Sequence, residues 1–448
     1  MNGRRVMKSK IPHSPSLDYT LGWWMISRIL ETPGGFDTVM HLLSAPDQLF
    51  SEYNRAIFQR FSASPLGQIG GHMKSTRPFL LVICTIVLFH TVAIAATWIV
   101  DPSGQGHYTS IQPAIMAASA LDTILIRPGT YAEELRITSG QSGVVLMGDG
   151  SPADVVVQAD TLAIGIWGTD PPVRLANLTV TGAGLFGGVR TQDARAVITN
   201  CIIKANNGPG GCKGVGGGMQ FVMGSDILVE GCTIEENHSW ESPGGMIVWQ
   251  SRADIRRNVF RNNSSCYGGA IEMYHCEGSG VSVIEENVFV GNTADTWGGG
   301  IFNVDSSPVI RRNTFVTNGG STKPAIWVLG GRPEITHNIF ADSRLAVYCY
   351  AYSGYPASRP VIGENICWSI ADTTLSNCGS SGGLLVVNPL FCDVAAGDFR
   401  LCADSPAIVG GEVTFGALGV GCPNCDDVPV KPASWGAVKS RLGKPKTR

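Results

Sequence analysis

Between about Val173 and Trp368 the apolar positions fall in short alternating runs, and the runs recur. One phrase holds an apolar residue, two variable ones, Asn and an apolar pair. It reads "VITNCII" ending at Ile203, "IRRNVF" at 255–260, "IEENVF" at 284–289, "IRRNTF" at 310–315, "ITHNIF" at 335–340 and "IGENIC" at 362–367. Its anchors are Asn177, Asn200, Gly231, Asn258, Asn287, Asn313, Asn338 and Asn365, so successive steps are 23, 31, 27, 29, 26, 25 and 27 residues. A second phrase alternates with the first: "GGVR" at 187–190, "GGGMQF" at 216–221, "GGMIVW" at 244–249, "GGAIEMY" at 268–274 and "GGGIFNV" at 298–304. "PAIWV" at 324–328 and "LAVYC" at 345–349 keep its strand without its glycines.

A period in the twenties, built from β-branched and aromatic residues at period two, predicts a solenoid. A leucine-rich or helical repeat would need a leucine pattern or helix-length segments, and neither is present. No single coil can bury its own apolar face, so coils must stack, about 4.8 Å apart. Val197, Leu228, Ile255, Ile284, Ile310, Ile335 and Ile362, three residues before the anchor, read as one interior column. Ile202, Thr233, Phe260, Phe289, Phe315, Phe340 and Cys367, two residues after it, read as another. The anchor column is expected in a tight left-handed turn, which Asn tolerates, with stacked amides bonding as a ladder. The predicted fold is an all-β parallel β-helix.

The ends differ from the middle. Residues 1–72 carry no period and are expected to be an extension ahead of the true start. A basic "MKSTR" at 73–77, an uncharged apolar run from Pro78 to Ala96 and small residues at 93–96 predict a signal peptide over 73–96, cleaved near Ala95 or Ala96. A single membrane anchor is the alternative, because 19 apolar residues just span a bilayer. Ser110 leads a short amphipathic helix over 110–120, followed by the strand and Pro-Gly turn of "TILIRPGTY". A helix there covers the open end of the solenoid. The β-helix is expected over 97–376, a Cys-containing segment closing the solenoid over 377–425, and a basic tail over 426–448.

The pattern "GxYxxIQxAI … IxPGTYxE" in residues 106–133 resembles the amino-terminal opening of the pectin-lyase-like right-handed β-helix superfamily. The resemblance runs over roughly residues 98–420 and implies right-handed coiling with PbH1-type repeats. Its enzyme families do not carry over residue by residue. "TQDA" at 191–194 and "GGRPE" at 330–334 echo pectin methylesterases without their aspartates. The adjacent aspartates of polygalacturonases appear only as Asp426–Asp427 in the tail, and no Gly-His-Gly or Asp-Pro-His-Asp is present. "GGAI" at 268–271, with "FRNN" at 260–263, "FVGN" at 289–292 and "FVTN" at 315–318, resembles the tetrapeptides of chlamydial polymorphic outer-membrane adhesins. That likeness implies a surface adhesin or a structural scaffold.

Composition narrows the partners. The chain has 448 residues, formal charge −3 and 15% charged residues, with no basic arm and no aromatic–basic interleaving, so nucleic acid is not expected. Of 13 cysteines, Cys84 lies in the signal, which leaves an even number for an exported product and predicts disulfides. The close pairs are Cys266/Cys276, Cys367/Cys378, Cys392/Cys402 and Cys422/Cys425, while Cys201 and Cys232 share a column and either bond or fill the core. Secretion or the cell envelope is the expected location, and a monomer the expected state.

With Met219, Met246, Ile271, Ile301, Ile326 and Val347 inward, alternation turns the next column outward: Gln220, Ile247, Glu272, Phe302, Trp327 and Tyr348. Two residues on lie Val222, Trp249, Tyr274, Val304, Leu329 and Tyr350. Exposed rings in rows suggest a binding surface, and flat aromatic faces suit the C–H faces of sugars. Trp249, Tyr274, Phe302, Trp327, Tyr348 and Tyr350 are therefore the candidate contacts to a polysaccharide or cell-surface glycan. A loop over this face would instead make them satellite core. Glu272, His275 and Asp305 are the candidate catalytic set of a lyase or glycoside hydrolase, with Gln250, Lys323, Arg332 and Arg344 within a few coils. His275 is available only if its strand ends at Tyr274. No cofactor is expected, with calcium as the one candidate metal.

Overall fold

A computed structural model describes residues 95–423, apart from 208–216, 241–242, 320–322, 373–374 and 380–381. The sequence expectations for residues 1–72, the signal at 73–94, Cys425 and the tail lie outside the described residues. Three parallel sheets of eleven, eleven and ten strands wind into a right-handed β-helix, each strand pairing with its counterpart one coil away. Sheet A runs from Thr97–Val100 to Val361–Ile362, sheet B from Gly129–Ala132 to Leu384–Leu385, and sheet C from Leu135–Ile137 to Leu375–Ser376. The helical winding thus extends past residue 376, to the last strand of sheet B.

The interior is made of columns. Phe260, Phe289, Phe315 and Phe340 stack face to face with ring centroids 4.9, 4.5 and 5.0 Å apart, all buried. Beside them runs a ladder from Asn258 through Asn287, Asn313 and Asn338 to Asn365. Each Nδ2 donates to the next Oδ1 at 3.0 Å. Buried amides are stable here because every donor and acceptor is used, the second Nδ2 hydrogen going to a backbone carbonyl one coil back. A second ladder joins Asn206, Asn237, Asn263, Asn292 and Asn318 at 2.9–3.0 Å. Its last three members end the "FRNN", "FVGN" and "FVTN" tetrapeptides, so those phrases are a packing device of the coil.

The structure corrects the register of the first coils by one residue. The left-handed turn position is held by Asn177, Asn200, Gly231, Arg257, Glu286, Arg312 and His337, all at positive φ. The buried ladder position is the residue after it, so Cys201 and Cys232 are the earlier-coil equivalents of Asn258. Asn177 and Asn200 are turn residues that bond each other near the surface at 2.7 Å. The interior residues are accordingly Ile198 and Val229, not Val197 and Leu228, and Ile203 and Ile234, not Ile202 and Thr233. Cys201 and Cys232 are buried thiols that fill the core without forming a disulfide.

At the amino-terminal end the capping helix spans Ile111–Ala117 and buries Ile111, Ala114 and Ile115. Its first amides are not capped by Ser110. The Glu133 carboxylate accepts from Ile111 N at 2.7 Å and Gln112 N at 2.9 Å, putting a negative charge where the helix leaves donors free. At the other end Ile370, Leu375, Cys378 and Leu384 pack against the main core. The segment that follows turns back along the outside of sheet B. There Phe391, Phe399, Leu401 and Phe415 cover Val288, Val290, Val316, Ile339 and Ile366. Gly416 N donates to His337 O and Ala417 N to Thr314 Oγ1, both at 3.0 Å.

Two disulfides seen among the described residues are Cys349–Cys378 and Cys392–Cys422, with Cys402 Sγ 3.3 Å from Cys422 Sγ. Among the described residues the expected pairings Cys266/Cys276, Cys367/Cys378 and Cys392/Cys402 are not the ones seen. Cys276 and Cys367 are buried thiols, Cys378 and Cys392 bond across coils or strands, and Cys422 is taken by Cys392. Parallel coils bring together residues one period apart, so Cys349 and Cys378 are separated by 29 positions, while Cys392 and Cys422, 30 positions apart, meet within the small sheet of the carboxy-terminal segment.

Candidate functional site

Sheet C carries the outward columns. Pairing puts Gln220, Ile247, Glu272, Phe302, Trp327 and Tyr348 in register, and likewise Val222, Trp249, Tyr274, Val304, Leu329 and Tyr350. The Gly-Gly phrase before each strand lets the chain pass close to a neighbouring coil. A Cβ on Gly298 would stand 2.9 Å from Trp327 N, and one on Gly269 2.1 Å from Gly299 O.

The columns are not uniformly open. Phe302 is 5% exposed and forms a small satellite core with Val304 and Leu329, so it is not a surface contact. Trp297 lies flat on it, with centroids 5.5 Å apart, and meets Trp327 edge-on at 4.8 Å. A strap over residues 351–358 runs back from Tyr350 along the other side. Ser358 Oγ accepts from Gly330 N at 2.9 Å, and Tyr355 stacks on His275 at 6.1 Å and bonds the Tyr274 hydroxyl. That bond, with burial, pushes the Tyr274 hydroxyl up to about 12.

What remains is a half-exposed aromatic patch. Trp327 contacts Tyr348 at 4.4 Å, and Tyr348, Tyr350 and Tyr352 follow at 6.3 and 6.2 Å, with Tyr352 57% exposed. Trp249, three strands from Trp327, meets Tyr274 edge-on at 6.4 Å. A cleft of about 270 Å³ opens beside the patch, lined by Tyr348, Tyr350, Ala351, Ala357, Ser358 and Asn377. The indole Nε1 of Trp327 is buried and has no hydrogen-bond partner among the described residues.

The three candidate catalytic residues separate into two environments. The strand Ile271–Tyr274 does end at Tyr274, and His275 and Asp305 occupy left-handed turn positions on adjacent coils, at φ 51° and 43°. His275 Nδ1 and Asp305 Oδ2 are 3.3 Å apart, both partly exposed. Glu272 lies between Ile247 and Phe302, is 6% exposed, and its carboxyl has no hydrogen-bond partner among the described residues. Burial alone pushes it up to about 8, so it is a neutral acid at pH 7. Arg344 is paired with Asp372, and Gln250 holds the turn position one coil before His275.

Trp297, Tyr352 and Tyr355 escaped the sequence reading. For Trp297 a signal exists, since it stands immediately before Gly-Gly, as do Phe186 and Tyr267. Phe186 likewise lies by an outward residue of sheet C, with the Arg190 guanidinium 5.7 Å from its ring centroid. The strap tyrosines belong to a connection with no repeat, so no column announces them.

Residues 124–318 match the family model described as the right-handed β-helix region. Among solved structures the chain is similar to an alginate lyase from Paenibacillus sp. FPU-7. Identity is 17% over 61% of this chain and 96% of that one, with a TM-score of 0.37. It is also similar to the pectin methylesterase PemA from Erwinia chrysanthemi, at 12% identity over 65% and 92% with a TM-score of 0.30. A third is the periplasmic alginate epimerase AlgG, at 14% over 60% and 77%, also with 0.30. No curated protein matches the chain. At these scores the likenesses decide nothing about activity. The class that fold and face define is a right-handed parallel β-helix with an aromatic outer sheet.

Proposed function

We propose that this β-helix binds polysaccharide along the outer face of sheet C, as an exported or envelope protein. One observation carries the reading: the partly exposed run of rings from Trp327 through Tyr348 and Tyr350 to Tyr352, beside an open cleft. Rings left at a surface bring no stability in proportion to their area, whereas they present flat apolar planes to sugar C–H faces and hydroxyl tips to sugar hydroxyls. The two disulfides support an oxidising location.

Cleavage is the weaker part of this reading. Glycoside hydrolysis needs two carboxyl groups flanking one bond, and Glu272 is buried while Asp305 is tied to His275. A second reading, an adhesin or scaffold without catalysis, draws support from the strap and Trp297, which roof Phe302, Val304 and Leu329. The test is retention of the full chain on a panel of plant, algal and bacterial polysaccharides, together with release of reducing ends, with and without calcium. Retention lost in Trp327→Ala or Tyr348→Ala, with no turnover, is the expected result. Turnover abolished by Asp305→Ala would make the protein an enzyme, and absence of both retention and turnover would leave the scaffold.

A further inference from the structure

Charge on the candidate face is distributed in a way that bears on which polymer fits. Six successive strands, with two outward positions each from Gln220 to Tyr350, hold no lysine or arginine. Five steps between these coils make about 24 Å of surface at about 4.8 Å each. The strap over 351–358 is likewise uncharged in sequence. The one acid on the twelve positions is Glu272, and the acid next to them is Asp305, within 3.3 Å of His275. The cations nearby stand off the columns or are engaged. Lys323 and Arg332 precede and follow the strand Pro324–Leu329, and Arg344 is paired with Asp372. Arg190, one coil before Gln220, has its Nη1 on Gln220 Oε1 at 3.0 Å.

A polymer of uronates laid here would bring a row of carboxylates against apolar rings and beside Asp305, losing hydration without gaining a counter-charge. Uncharged sugars meet the opposite situation. Their hydroxyls find the phenol groups of Tyr348 and Tyr350, while their C–H faces find the rings. Burial keeps Glu272 protonated below about pH 8, so at neutral pH the acid adds no charge. We infer that the polymer taken by this face is a neutral polysaccharide, a chain of uncharged hexoses or pentoses.

The inference rests on the polysaccharide reading above, and one experiment separates the two. The full chain is run by affinity electrophoresis through gels containing β-glucan, xylan or mannan, and through gels containing polygalacturonate or alginate, at low and high salt. Expected is retardation by at least one neutral polymer, about tenfold stronger than by either uronate polymer, unchanged by salt and unchanged in Arg190→Gln. Retardation by the uronates alone, weakened by salt or by Arg190→Gln, overturns the neutral assignment and leaves polysaccharide binding intact. No retardation in any gel overturns both.

Discussion

Sheets B and C both present apolar residues to the outside, yet the chain treats the two faces differently. The face of sheet B is aliphatic, with Val288, Val290, Val316, Ile339 and Ile366, and the chain covers it with its own carboxy-terminal segment. The face of sheet C is largely aromatic, and the chain buries Gln220, Val222, Glu272, Phe302, Val304 and Leu329 on it, leaving Trp249, Trp327, Tyr348 and Tyr350 partly exposed. Aliphatic side chains have no polar tip and no flat plane to offer a solvated ligand, so folding buries them. Rings with hydroxyl or indole tips tolerate a wet boundary and remain available. The difference in residue type therefore predicts which face is core and which is site.

The largest effect should come from Glu272, the one acid buried in the outward columns of sheet C. Glu272 is pushed from an ordinary 4.5 to about 8 by burial, so the folded protein holds its proton more tightly than the unfolded chain. Its contribution is fully present below the unfolded value and is lost as pH rises from about 4.5 through about 8. At roughly 1.4 kcal/mol per pH unit, that interval caps the change at about 5 kcal/mol. Denaturant melts across this range should show stability falling with pH, and Glu272→Gln should remove the slope. A slope unchanged in the variant would mean that the carboxyl is solvated and the face wetter than described.

Next comes the covered face itself. Phe415→Ala empties a fully buried site between the carboxy-terminal segment and sheet B and should cost about 3–5 kcal/mol by denaturant titration. Tyr348→Ala on the open face should cost less than about 1 kcal/mol. Equal losses would erase the distinction between the two faces. The Cys392–Cys422 bond closes a loop of 30 residues within the same covering segment. Its removal in Cys392→Ser should cost about 3 kcal/mol and raise amide exchange in the strands Val288–Val290 and Thr314–Val316.

How much of this was legible in the chain follows from where each interaction lies. Coils repeat, so the solenoid, the Phe stack and both outward columns of sheet C could be read from spacing alone. The first coils misled by one residue because Asn177 and Asn200 occupy the left-handed position beside the ladder, and Asn suits both places. Cys201 and Cys232, the true ladder equivalents, carry no Asn to mark them. The covering segment was illegible for another reason: Ala417 bonds Thr314 across 103 residues, and no period links them. The same holds for Tyr355 on His275, which left the partial roof over the candidate site unread. The disulfides failed by analogy with short loops, whereas Cys349 and Cys378 meet one helical period apart and Cys392 and Cys422 meet through the fold of the covering segment.

The smallest stability effect carries the sharpest functional contrast. Trp249 is half-exposed at the amino-terminal side of the patch, and its ring contact among the described residues is the edge-on one with Tyr274. Trp249→Ala removes a large plane that the folded core does not use, so the melting midpoint should move by less than the equivalent of about 1 kcal/mol. If the sugar chain runs along sheet C, the same change removes one stacking platform and weakens retention on the bound polymer about tenfold, the equivalent of roughly 1.4 kcal/mol. Trp249→Tyr, which keeps a ring and a polar tip, should restore most of the retention. Affinity electrophoresis beside a thermal melt of each variant reads both quantities. A variant that loses stability and keeps retention would place Trp249 with the aliphatic face of sheet B as packing. One that keeps stability and loses retention would confine the aromatic face to binding, and recovery in Trp249→Tyr would show that the plane, not the indole, is what the sugar meets.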